Sequence, residues 1–182
     1  MEDLSLHILD IAENSIEAQA KRIDIRIEEN HRLDRMILEI SDDGRGMDKA
    51  LRVKALDPFV TTKTARRIGL GLSLLAQAAK AAAGKLTLRS RPGRGTKVRA
   101  TFELSHIDRK PLGDIAQTLA TLIVAHPGLD IRYVHQADQR TYVFDTRDLR
   151  SQLGGISLAT PQIVAVIRKA IQEEIHKIRR TS

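Results

Sequence analysis

The sequence predicts an α/β two-layer sandwich, a mixed sheet with helices on one face, followed by a small α+β region. Three observations predict it. Residues 22–28 alternate, with Ile23, Ile25 and Ile27 on one side, the period of a half-buried strand. Residues 4–20 and 69–83 carry apolar side chains at helical spacing. The predicted order is helix, strand, strand, helix, loop, helix, strand, strand. A sheet with one apolar face covered by helices satisfies that order.

In the first helix Leu4, Ile8, Ile11, Ala12 and Ser15 share one side, and Leu9 and Ile16 widen it. Asp10, Asn14 and Glu17, with His7 beside them, share the other. Asn30 and His31 suit a turn, and Met36–Ser41 reads as the second strand. The chain then breaks at Asp42-Asp43-Gly44-Arg45-Gly46. Asp48 suits the N-cap of a short helix to Ala55, closed by Pro58. Residues 57–68 have no period and read as a loop. Gly69–Ala83 is rich in Leu and Ala, with Gly84 as its terminating glycine. Lys85–Ser90 and Lys97–Leu104 read as strands around an Arg91–Gly95 turn.

Residues 1–104 are thus the first domain, 105–113 a linker, and 114–182 a small α+β domain. In the last, a helix over Asp114–Ala125 precedes strands at Asp130–His135 and Arg140–Phe144, joined by a turn at 136–139. A short helix near Asp148–Leu153 follows. The final helix opens at Thr160, with Pro161 at the first helical position. Ile163, Ile167, Ile171, Ile175 and Ile178 recur at near-heptad intervals. They read as packing onto their own domain, with a homodimer seam as the second reading.

A chain of 182 residues with 42% hydrophobic side chains can bury a real core. The absence of cysteine excludes disulfides and thiolate metal sites. The net charge of +7 allows an anionic partner, but aromatics are only 3% and Trp is absent. That argues against a stacking platform, so nucleic acid is not the expected partner. The start has no basic n-region, and no apolar run approaches the roughly 20 residues of a membrane span. A cytoplasmic protein without a membrane segment is expected.

Asp10 and Asn14 stand four apart on one helix face. A carboxylate there can take a proton from an attacking water, and an amide oxygen can hold a hard cation. Glu13 is the fallback base. Asp42, at a strand end, can accept from an exocyclic amine, and Gly44 and Gly46 let backbone approach a ring closely. Met47 supplies apolar surface beside it. Gly69-Leu70-Gly71-Leu72 opens a helix, where free N–H groups and the positive dipole end favour phosphate. Lys63 is either a point charge for phosphate or an exposed loop lysine.

In this order the runs Asp10…Glu13-Asn14, Asp42–Met47, Gly69–Leu72 and Gly93-Arg94-Gly95-Thr96 resemble the N, G1, G2 and G3 boxes of the GHKL superfamily. That superfamily holds gyrase, heat-shock chaperone, histidine kinase and mismatch-repair ATPases. The resemblance covers about residues 4–104 and implies a Bergerat-type fold with ATP and Mg²⁺ as cofactors. It implies Asn14 as the magnesium ligand, Asp10 as the general base, Asp42 as the reader of adenine, and the Thr96 hydroxyl as a support for Asp42. Pro58-Phe59-Val60-Thr61-Thr62-Lys63 and Gly69–Leu75 are similar to the histidine-kinase branch, while Glu13–Ile23 is similar to mismatch-repair ATPases. Asp10 stands where those ATPases have glutamate, and Arg67 where kinases have a lid glycine. Ser105-His106-Ile107-Asp108-Arg109-Lys110-Pro111-Leu112 has the spacing of a kinase phosphoacceptor box, with Ile107 in place of its acid, which makes His106 a candidate acceptor.

The resemblance implies a Mg-ATP-binding protein that hydrolyses ATP or passes its γ-phosphoryl group to a partner protein. A nucleotide-responsive regulatory module without turnover is the alternative, and a mismatch-repair-like ATPase the third reading.

Overall fold

Alternation along β1 (Arg22–Asn30) places Ile23, Ile25, Ile27 and Glu29 on one buried face. The computed structural model describes residues 3–56 and 70–180. β2 (Arg35–Asp42) pairs antiparallel with β1, setting Ile40 against Ile25 and Leu38 against Ile27. β3 (Lys85–Ser90) and β4 (Thr96–Glu103) form a hairpin that joins through β4 to β2. Val98, Ala100 and Phe102 continue the apolar face.

α1 (Leu4–Glu17) and α3 (Leu70–Ala81) cover that face with Leu4, Ile8, Leu72 and Leu75. The opposite face is charged. There Glu39 pairs with Lys97 at 2.9 Å and Arg99 at 3.3 Å. Such exposed pairs contribute less than about 1 kcal/mol each.

The residues beyond 104 are organised differently from the expected separate α+β domain. β5 (Asp130–Ala137) pairs parallel with β1, with Ile131 opposite Ile23 and Tyr133 opposite Ile25. β6 (Arg140–Asp145) completes a six-stranded sheet in the order β3-β4-β2-β1-β5-β6. Ile131 and Tyr133 belong to the same core cluster as Ile23 and Ile25. The expected linker is packed as well. Asp34 accepts from the Ser105 N–H and hydroxyl at 2.8 and 2.7 Å, and the Pro111 carbonyl accepts from Leu4 N–H at 2.9 Å.

α4 (Ile115–Ala125) and α6 (Pro161–Arg180) pack on each other and extend the helical layer. α6 buries Ile167, Ile171 and Ile178, so its isoleucine stripe faces its own chain. Two short helices, α2 (Lys49–Ala55) and α5 (Thr146–Gln152), complete the described elements, and Asp48 accepts from Leu51 N–H as expected.

Two helix ends differ from the sequence reading. α1 stops at Glu17, because Gln19 is left-handed at φ 65° and Ala20 N–H returns to the Ser15 carbonyl. At the end of α3 the left-handed residue is Ala83, at φ 54°. Gly84 serves another purpose: a Cβ there would overlap the Thr101 carbonyl.

Candidate functional site

Three backbone segments meet around one carboxylate. Asp42 ends the interior strand β2, where the chain gives way to the Gly44–Met47 loop. Its Oδ1 accepts from Gly44 N–H at 2.9 Å and Thr96 N–H at 3.2 Å. Its Oδ2 accepts from the Ser15 hydroxyl at 2.8 Å. The side chain is therefore held from α1, from its own loop and from β4.

Glycine makes this approach feasible. A Cβ on Gly95, which has φ +70°, would overlap the Asp42 carbonyl oxygen. Gly46, at φ +68°, lies against the Arg91 carbonyl in the same way. The Ser90 hydroxyl locks the two turns together, accepting from Met47 N–H at 2.8 Å and donating to the Gly95 carbonyl at 2.9 Å. Asp43 does a separate job: its Oδ1 accepts from the Lys21 and Arg22 N–H groups, tying the loop to the start of β1.

The resulting cavity is a narrow slot of about 60 Å³ that opens to solvent at its mouth. That is below the roughly 300–1,000 Å³ usual for enclosed small-ligand sites. Asn14, Asp42, Gly46, Met47, Leu72 and Thr96 line it, joined by Ser15, Arg45 and Leu51. Of the residues expected at the site, Asn14 and Asp42 thus share one chamber although 28 positions separate them in the chain. Met47 and Leu72 supply apolar wall, and Gly44 contributes a backbone N–H to Asp42.

Asp10 is exposed on α1 and lies beside the chamber, outside its lining. A Cβ on Gly71 would stand 3.1 Å from Asp10 Cβ and 3.6 Å from its Oδ2. The first turn of α3, which begins at Leu70, therefore runs against the candidate base. Lys63 and Gly69, with the lid run from Phe59 to Arg67, lie outside the described residues.

Three expectations change. Glu13 does not face the chamber; its Oε2 stands 3.4 Å from His126 Nε2, toward the end of α4. Thr96 supports Asp42 through its backbone N–H, while its hydroxyl pairs with Ser90 Oγ at 2.9 Å. His106 lies past the far end of β4. Seven residue steps separate Thr96 from Glu103, roughly 23 Å at strand spacing. The Nδ1 of His106 also accepts from Asp108 N–H at 3.1 Å, which leaves the ring proton on Nε2 when the ring is neutral. His106 is thus about a strand's length from the chamber in the same chain.

Ser15 and Ser90 went unrecognised in the sequence. The signal for Ser15 was its polar side chain within the apolar stripe of α1. Ser90 carried no such mark.

The residues present fit a magnesium ion brought in with a polyphosphate. Among the described residues the Asn14 side-chain amide has no protein hydrogen bond, and it stands half-buried at the chamber wall. No group of three or more His, Cys, Asp or Glu residues is arranged for metal among them. One neutral oxygen ligand suits an ion whose other ligands are phosphate and water.

Residues 2–106 match the family model described as the histidine kinase-, DNA gyrase B- and HSP90-like ATPase. The chain is 41% identical over 110 residues to the sensor protein kinase FleS of Pseudomonas aeruginosa, covering 60% of this chain and 27% of that protein. It is 39% identical over 98 residues to the signal transduction histidine-protein kinase AtoS of Escherichia coli, covering 53% of this chain and 15% of that one. The chain therefore spans well under a third of these relatives. In fold it is similar to the crystal structure of the N-terminal domain of a DNA repair protein, with TM-score 0.51 and 17% identity, over 79% of this chain and 52% of that one. Among the described residues no helix is long and apolar enough to cross a membrane.

Proposed function

Since the chain belongs to the histidine kinase-, DNA gyrase B- and HSP90-like ATPase family, we propose that it binds Mg-ATP in the chamber between α1 and β2. We infer that it directs the γ-phosphoryl group to water or to a partner protein. The observation that carries the reading is the convergence of Asn14, Asp42, Met47, Leu72 and Thr96 on one cavity.

Asp42 Oδ2 accepts the adenine 6-amino group, and Met47 and Leu72 enclose the ring. Asn14 would hold a magnesium ion, which would supply positive charge against the phosphates. The N–H groups at the start of α3 receive the phosphate tail. Asp10, beside that helix start, takes the proton of the attacking hydroxyl as its oxygen bonds to the γ-phosphorus and ADP leaves. Because His106 is a strand's length away, the acceptor is water or a group on another protein. The names of the kinase relatives favour a protein.

One observation favours the second reading, a nucleotide-responsive module without turnover: Asp10 is not part of the chamber lining. Calorimetry and turnover separate the two. Wild type is expected to bind ATP more tightly with Mg²⁺ than without. Asp42→Ala should weaken binding by about tenfold or more, and Asn14→Ala should remove the magnesium dependence. Asp10→Asn should retain ATP binding but lower phosphate release or γ-label transfer by about 100-fold. Equal rates for wild type and Asp10→Asn would favour the non-catalytic module. No ATP binding by wild type in the presence of Mg²⁺ would end both readings.

A further inference from the structure

The contacts of Asp42 leave one acceptor position open, and Ser15 decides which one. Both oxygens of a carboxylate offer two in-plane lone pairs. On Oδ1 both are engaged, by Gly44 N–H at 2.9 Å and Thr96 N–H at 3.2 Å. On Oδ2 one is engaged by Ser15 Oγ at 2.8 Å. Among the described residues nothing else reaches Oδ2, so a single lone pair there remains for whatever enters the chamber.

Ser15 is itself fixed. It is 4% exposed, on the buried stripe of α1, and its Oγ also lies 3.0 Å from the Ile11 carbonyl. It carries one proton for two acceptors, and the charged carboxylate is the stronger of them. The helix thus anchors the hydroxyl, and the hydroxyl anchors the second carboxylate oxygen. Both Ser15 and Asp42 line the chamber.

We propose that Ser15 is a positioning residue for base recognition: it pins Oδ2 of Asp42 so that the one lone pair left accepts a single N–H donor, the 6-amino group of adenine. This rests on the ATP reading above and deepens it. Without the hydroxyl, Oδ2 presents two open positions, water takes one or both, and the carboxylate can pivot about its Oδ1 bonds. Selection for the amine then weakens although Asp42 is still present.

The test pairs a side-chain deletion with a ligand-group deletion. Affinities of wild type, Ser15→Ala and Ser15→Thr are measured by calorimetry for Mg-ATP and for the magnesium complex of purine riboside triphosphate, which lacks the 6-amino group. Ser15→Ala is expected to weaken ATP binding about tenfold and purine riboside triphosphate binding less than twofold. Ser15→Thr, which keeps the hydroxyl, should stay near wild type for both. Should Ser15→Ala not fold, as judged by thermal melting, Ser15→Cys offers a weaker donor of similar size and should show the same asymmetry, reduced. Equal losses for both nucleotides would overturn the proposal, since a residue that only supports the fold cannot sense the amine. Tight ATP binding by Ser15→Ala would overturn it too. Failure of wild type to bind either nucleotide would instead remove the ATP reading and this inference with it.

Discussion

Gly95→Ala is expected to weaken ATP binding by about 10- to 100-fold and to lower the melting temperature strongly, while Gly93→Ala does neither to that extent. The two glycines make a matched pair. Both sit at φ +70° in the turn between β3 and β4. A side chain at either position meets the same backbone penalty, about 1 kcal/mol or slightly more. Their surroundings differ. A Cβ on Gly93 meets nothing within 4 Å, whereas one on Gly95 overlaps the Asp42 carbonyl oxygen and reaches Asp43 Cα at 3.0 Å. Backbone cannot rotate aside as a flexible side chain can. The β2 end must therefore move, and Asp42 moves with it, away from the Thr96 N–H and the Ser15 hydroxyl.

For a chain of this size 1 kcal/mol corresponds to roughly 2–4 °C in melting temperature. Gly93→Ala should cost about that, with ATP affinity within twofold of wild type. Gly95→Ala should cost about 3 kcal/mol or more, in the tail reserved for backbone conflict. Thermal denaturation and calorimetry on the two variants check this. Equal effects would mean that the turn geometry, rather than contact with Asp42, matters.

Arg179→Ala is expected to destabilise the fold by about 3 kcal/mol at neutral pH, with a loss that shrinks in acid. Glu29 is 2% exposed on the apolar face at the end of β1. Arg179 of α6 donates from Nε to its Oε2 at 3.1 Å. His135, fully buried on β5, has Nε2 at 3.9 Å from the same oxygen, and its Nδ1 pairs with the Tyr133 hydroxyl at 2.7 Å. Among the described residues Glu29 Oε1 and His135 Nε2 are buried without hydrogen-bond partners. Burial pushes the Glu29 carboxyl up, but the His135 imidazole and the Arg179 guanidinium more than offset this and hold it below the usual carboxylate range.

Removing one partner of a buried pair strands the other charge, at about 3–5 kcal/mol. The low end applies because the Arg179 side chain is 41% exposed. The sign follows from linkage. A carboxyl held low in the fold adds stability above its unfolded pKa and loses it as pH falls through the folded value. In Arg179→Ala burial dominates, so the carboxyl rises and takes up a proton more readily. The gap in melting temperature between wild type and variant should thus be largest near pH 7 and narrow toward pH 4. A gap independent of pH would show that Arg179 acts through packing alone.

Local pattern made the described residues up to 104 legible. Period-two runs of isoleucine and leucine define β1 and β2, Asp48 and Pro161 mark helix starts, and paired glycines mark the turns. The candidacy of Asn14 and Asp42 was legible for the same reason: residue type at a helix face or a strand end limits what a side chain can do, and both line one cavity. The contacts of Asp42 were not. A serine at position 15 serves equally well in a buried stripe or as a donor, and only the approach of α1 to β2 turns it toward Oδ2. Thr96 likewise showed a hydroxyl in the sequence, while the register of β4 against β2 presents its backbone N–H instead. Glu13 and Asn14 are neighbours in sequence, yet helical rotation sends one toward His126 and the other to the chamber.

The sequence by itself determined the elements, the turns and the identity of the two residues that define the chamber, because those depend on side-chain period and backbone permissiveness over a few positions. Only the tertiary structure decided that β5 adds in parallel to β1, that α6 closes over a buried glutamate, and that three backbone segments share one carboxylate. A strand's alternation says which face is apolar but not which edge it will join. That choice rests on the burial gained by contacts more than a hundred residues apart, and no local pattern carries it.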